Sequence, residues 1–145
     1  PAGDLMAGPS LEGFLDELIG VVRAASGMRY VPDDPPSQIA TSPAALIWLT
    51  DGRSVIGPPE VATYHHTVHV ALVTGMDNIA TANQRILPQI EPVIEAIWNR
   101  LRGAGFANCQ NIEQITFTYG PIQWGDVWYF GAMIDLEEVK IQRTL

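Results

Sequence analysis

Apolar residues recur every third or fourth position at Leu11, Phe14, Leu15, Leu18, Val22 and Ala25. That spacing predicts an amphipathic helix, with Ser10 as its N-cap and Gly27 as its stop. The stretch GMRYVPDDPPSQIATSP follows with four prolines and no periodicity, so residues 28–43 read as a long Pro-rich loop. Next, AALIWLTD predicts a strand, GRSVIGPPE a turn, and VATYHHTVHVALV a second, longer strand. Asp77 or Asn78 caps a second helical region that reaches Arg102. Pro88 and Pro92 fall inside it, which predicts a short piece, a kink, and then a helix bearing Val93, Ile97, Trp98 and Leu101. Gly103 and Gly105 end that helix. Two last strands, IEQITFTYG and DVWYFGAMIDLEEVKIQ, are joined by a PIQWG turn.

The order α-β-β-α-β-β predicts an α+β fold: a single antiparallel or mixed sheet with helices packed on it. A length of 145 residues fits one domain, 1–145. Residues 1–9 read as a flexible N-terminal arm, with no basic cluster or apolar stretch that would mark a signal peptide. A hydrophobic share of 47% against 17% charged residues excludes a disordered chain. No apolar run approaches the roughly 18 residues of a membrane span. The net charge of −8 argues against a conventional nucleic-acid binder, whose affinity comes from Lys and Arg on phosphates.

The candidates for chemistry are few. All three histidines lie in TYHHTVHVAL, at positions 65, 66 and 69. On a strand His65 and His69 share a face but stand roughly 13 Å apart, too far for two ligands of one metal. His66 points the other way, with Tyr64, Val68, Val70 and Leu72. Thr67, Val68 and Val70 favour a strand, and the glutamate of the zinc-protease signature is missing. His65, Thr67 and His69 then line a polar face, and no metal is expected unless a neighbouring copy completes a site. Glu137 and Glu138 read as neighbours at a strand's end, pointing to opposite faces, a poor acid–base pair. Asp33 and Asp34 lack the spaced oxygens of a calcium loop. The single cysteine, Cys109, excludes an internal disulfide and reads as an ordinary thiol. No nucleotide-loop or nucleophile-elbow motif occurs. The residues therefore predict no catalytic group, no cofactor and no enzyme.

The last strand is apolar on both sides: Trp128, Phe130, Ala132, Ile134 and Leu136 on one, Val127, Tyr129, Met133, Val139 and Ile141 on the other. AALIWL is two-sided as well, whereas a one-layer sheet needs a single buried face. Either helices cover both faces or a second subunit covers one, as obligate assemblies commonly do.

From Leu11 to Lys140 the chain resembles the tail terminator (tail completion, or minor tail neck) proteins of long-tailed bacteriophages. The resemblance is carried by the helix LEGFLDELIGVVRA, the Pro-rich loop into SPAALIWL, the strand TYHHTVHVALV, the helix ANQRILPQIEPVIEAIWNRL and the pair ITFTYGPIQWGDVWYFGAMIDLEEVK. It implies a structural virion protein of the tail neck, assembled in the host cytoplasm, that forms a homo-oligomeric and expectedly hexameric ring. Such a ring caps the tail tube protein, ends its polymerisation and docks the head–tail connector or stopper protein. DNA would pass its lumen without specific binding, which a negative charge suits, and no membrane is involved. Contact candidates on this reading are Met28, Tyr30, Asp33, Asp34, Trp124, Tyr129 and Met133. Two alternatives stand beside it: another neck component (a head-closure, stopper or adaptor protein), and a small ligand- or metal-binding domain using the His65–His69 strand.

Overall fold

The computed structural model describes residues 8–76 and 78–145. The expected arm at 1–9 therefore lies outside the described residues except for Gly8 and Pro9, and so does Asp77 as a cap candidate. The elements are α1 (Leu11–Ala25), β1 (Ala44–Gly57), β2 (Val61–Gly75), α2 (Ile79–Arg102), β3 (Asn111–Trp124) and β4 (Val127–Thr144). This is the α+β order the sequence predicts. The strands form one sheet in the order β1-β2-β4-β3, and every neighbouring pair is antiparallel.

Ser10 caps α1, its side chain accepting from the Gly13 N–H at 3.0 Å, and Phe14, Leu18, Ile19 and Val22 are buried beneath it. Asn78 caps α2. This second helix runs unbroken over 24 residues, prolines included, where the sequence predicts two pieces. Its buried stripe of Ala82, Ile86, Ile90, Val93 and Ile97 continues straight past both prolines, while Pro88 and Pro92 themselves are exposed. Each missing hydrogen bond thus falls on the water side, where solvent satisfies the freed carbonyl, and packing outweighs propensity.

Three strand limits also differ from the sequence reading. GRSVIG belongs to β1, leaving only residues 58–60 to turn the chain. PIQW belongs to β3, and the hairpin loop is just Gly125 and Asp126. Gly125 has a φ of 61° at the first loop position, where a type II′ turn takes glycine. Finally, Glu137 and Glu138 lie inside β4 rather than at its end. Glu138 has a φ of 56° at a bulge, where the β2–β4 register shifts between His66 and Val68. The extra residue returns Val139 and Ile141 to the side of Leu136, so all three join the main core instead of lying on opposite faces.

Both helices lie on one face of the sheet. Their apolar stripes enclose a core with Ala45, Ile47, Val68, Val70, Leu72, Ala132, Ile134, Leu136 and Val139. Neither helix lies on the other face, where the Pro-rich loop forms a strap over part of the sheet. There Ala44, Leu46, Ala71 and Val73 are buried beneath Tyr30, Ile39, Trp48, Ile122, Trp124, Tyr129 and Met133. The loop is held at Tyr30, whose carbonyl accepts from the Ala45 N–H, and at Pro36, whose carbonyl accepts from Trp124 Nε1 at 2.8 Å.

Candidate functional site

Beyond the strap the same open face turns polar. Odd-numbered residues of β2 point away from the helices, which puts His65, Thr67 and His69 on this face as the alternation predicts. Two bulges flank Thr67, one in β1 at Thr50 and one in β4 at Glu138. Both bend their strands and aim side chains at the histidines.

Two clusters result. His69 Nδ1 stands 2.5 Å from Asp135 Oδ1, and its Nε2 stands 2.7 Å from Thr50 Oγ1. A carboxylate, an imidazole and a hydroxyl are thereby aligned: with Nδ1–H donating to Asp135, Nε2 is left to accept from the hydroxyl. The Trp48 ring centre lies 5.3 Å from that of the imidazole and meets Trp124 edge-on at 5.1 Å, joining this cluster to the strap. In the second cluster Arg53 Nη1 donates to both Glu138 oxygens, at 2.7 and 2.9 Å. His65 Nδ1 approaches the same carboxylate at 2.9 Å, but off the line of a hydrogen bond, so this buried nitrogen has no aligned partner. The hydrogen bond from Arg53 holds the Glu138 carboxyl below the usual carboxylate range and raises Arg53 in turn. A cavity of about 370 Å³ opens here at the β1 edge, lined by Asp51, Arg53, His65, His66, Thr67 and Glu138.

His66 faces the helix side, half-buried and parallel to the Tyr64 ring at 6.2 Å. Burial lowers its pKa from the ordinary 6.5, and the neighbouring His65 adds to the shift. The unfolded chain therefore takes up a proton more readily than the folded one, and stability falls as pH drops through 6.5 towards the lowered value. The His66→Gln variant is expected to lose less melting temperature than the parent between about pH 7.5 and 5. Equal losses in the two proteins would remove His66 from the acid response.

The seven predicted contact residues divide. Tyr30, Trp124, Tyr129 and Met133 come together in the cluster beneath the strap, half-buried. Met28 turns instead to the helix-side core. Asp33 is exposed and paired with Arg23 at 2.9 Å, and Asp34 is exposed. Sequence reasoning missed Thr50, Arg53, Asp135 and the partners of Glu138: the bulged register brings Thr50, Arg53 and Glu138 to the histidine face, and Asp135 stands opposite His69 through a long-range strand pairing that no local signal sets. Among the described residues no three His, Cys, Asp or Glu side chains converge as a metal would need.

The strap gives a direct expectation. Trp124→Ala removes both the Pro36 hydrogen bond and the Trp48 contact, and should cost about 2 kcal/mol. Amide exchange should accelerate across residues 30–40 while β2 stays protected. Unchanged exchange there would show that the loop is held by other contacts. No protein-family model matches this chain, and no curated protein matches it.

Proposed function

We propose that this protein is a ring-forming tail terminator of the viral neck, which caps the tail tube and joins it to the head connector. The observation that carries this reading is a pair of unlike adhesive surfaces at opposite edges of one sheet. On β1, Val55 and Ile56 are 53% and 64% exposed; on β3, Phe117 and Tyr119 are 46% and 62% exposed. A cyclic ring needs two different surfaces of this kind, because each subunit meets its two neighbours through different patches. Trp128 at the start of β4, 54% exposed, extends the second surface. Capping is then steric: the ring covers the tube layer on which the next ring of subunits would be laid.

Native mass spectrometry at several concentrations, with and without assembled tail tubes, tests this. Sixfold species, or rings seated on tube ends by negative stain, are the expected result. A dimer or tetramer indifferent to tubes would sink the proposal.

The aligned Thr50, His69 and Asp135 favour a second reading, a small hydrolytic domain in which His69 takes the hydroxyl proton. Hydrolysis of an activated ester that disappears in Thr50→Ala would support it. The open sheet face around this trio, without a deep cleft to orient a substrate, makes it the lesser of the two.

A further inference from the structure

We infer that neighbouring copies of this chain join by edge-strand pairing, β3 of one copy running antiparallel to β1 of the next, so that their sheets become one. The inference deepens the ring reading and takes from it only that the partner is another copy.

Sheet topology supplies the first reason. Four strands in the order β1-β2-β4-β3, antiparallel throughout, leave edges that run in opposite directions. Rotation about an axis along the strands preserves strand direction. It therefore brings β3 beside the next copy's β1 in antiparallel sense, the more stable pairing. The order β1-β2-β4-β3 then repeats without a break, and closing the ring removes every edge.

The second reason is that the edges are lightly guarded: β3 has an uncharged exposed run, and β1 carries only the Thr50 bulge and the opposite charges Asp51 and Arg53. Stable monomers protect edge strands with charge, proline or a covering loop. On β3 the run Gln114–Tyr119 (QITFTY) has neither charge nor proline and is exposed apart from half-buried Ile115. On β1 the strap covers only the start, where Tyr30 bridges Ala44, and Thr50–Ile56 is exposed throughout. Electrostatics agree with this choice of edges. The chain carries −8, so copies repel over most of their surface. Gln114–Tyr119 is uncharged, and Thr50–Ile56 carries one acid and one base, Asp51 and Arg53. These neutral edges are where two copies approach at least cost.

Side chains on the joined face also fit. Phe117 pairs within its own sheet with Ile134 and Tyr119 with Ala132, both on the helix side. On β1, Gly52, Ser54 and Ile56 pair with His66, Tyr64 and Ala62 and share that side. A register that keeps faces continuous lays the two exposed rings over a glycine, a serine and an exposed isoleucine. Aromatic side chains cover strand glycines well in this way.

The test uses two variants that each add one cysteine, Val55→Cys and Thr118→Cys, at exposed positions whose partners within the sheet, Thr63 and Met133, put both on the open face. The native Cys109 is buried, with its thiol pushed up to about 11, and stays silent to a maleimide near neutral pH. A short bis-maleimide added to the mixture should give 55-to-118 cross-linked pairs, identified by peptide mass spectrometry, and neither variant alone should cross-link. Self-association of Phe117→Lys/Tyr119→Lys should weaken roughly tenfold or more with an unchanged melting temperature. Cross-links within one variant alone would overturn the inference in favour of like-edge pairing. Rings that form in native mass spectrometry without 55-to-118 links would overturn edge pairing and leave the ring standing. A chain that stays monomeric and unlinked, with tubes present, would overturn both.

Discussion

Gly131→Ala is expected to cost about 3–5 kcal/mol and to leave little folded protein in solution. Gly131 is buried in β4, a central strand, opposite Val73 of β2 and Gly120 of β3. A Cβ placed there would collide with the Leu72 carbonyl oxygen, and would stand 2.9 Å from its carbon and 3.0 Å from Val73 Cα. None of these atoms has a rotamer to change. β2 and β4 would have to separate, and with them the middle of the main core, where Leu72, Ala132 and Ile134 are fully buried. The requirement is one of space, since Gly131 is not among the positive-φ residues. Gly20→Ala is the matched control. Gly20 is exposed in α1 with nothing within 4 Å of its would-be Cβ, and alanine there should stabilise by about 0.5–1 kcal/mol. Urea unfolding of the two variants beside the parent decides the matter. A Gly131→Ala midpoint close to that of the parent would show that the β2–β4 approach is looser than described.

That glycine illustrates what a sequence carries and what it does not. Helix α1 was legible to its cap because its stripe and Ser10 are local signals. The strands were legible as existing, through alternation and β-branched content, and the α+β class followed from their order. Strand ends were less so: GRSVIG and PIQW look like turn chemistry, yet each is half of a long hairpin whose partner strand holds it straight. The unbroken α2 was hidden for a related reason, since proline propensity is local while the stripe that overrides it is tertiary. The bulge at Glu138 had the widest effect. One residue in left-handed backbone, with no glycine to announce it, changed the side on which Val139 and Ile141 fall.

The polar face was half legible for the same reason. Alternation alone placed His65, Thr67 and His69 together, and their partners follow from register. Thr50 reaches His69, and Glu138 reaches Arg53 and His65, because bulges sit at those two positions. The open side of the apolar strands posed a choice between helices and a second subunit; neither helix lies there, and the Pro-rich loop covers part of it. Tyr30 and Ile39 lie in a stretch without periodicity, so nothing local said that they fold back onto Leu46 and Val73.

Glu17→Ala is the second large effect expected, at about 3 kcal/mol. In sequence Glu17 is one of three acids on helix α1, with Glu12 and Asp16. In the fold it is mostly buried, with its side chain 16% exposed. One carboxylate oxygen accepts from the Asn108 N–H at 2.9 Å and from Asn108 Nδ2 at 2.8 Å. The other accepts from the Ala107 N–H at 2.8 Å and meets Arg100 at 3.4 Å. Asn108 in turn accepts from the Ser10 N–H at 3.0 Å, so one residue ties the start of α1 to the segment that leads into β3. Removing the carboxylate strands the part-buried N–H and side-chain amide of Asn108 and leaves the exposed Ala107 N–H to water, and a buried donor left without its partner costs more than the bond itself was worth. Glu17→Gln keeps a single accepting oxygen and should lose about half as much. Amide exchange at Ala107 and Asn108 should accelerate in Glu17→Ala, ahead of exchange at Phe14 and Leu18. A loss below about 0.5 kcal/mol would place Glu17 among ordinary surface acids. A full loss, with weaker pairing of Val55→Cys to Thr118→Cys in the same background, would mean that this carboxylate sets the position of the β3 edge as well as the stability of the fold.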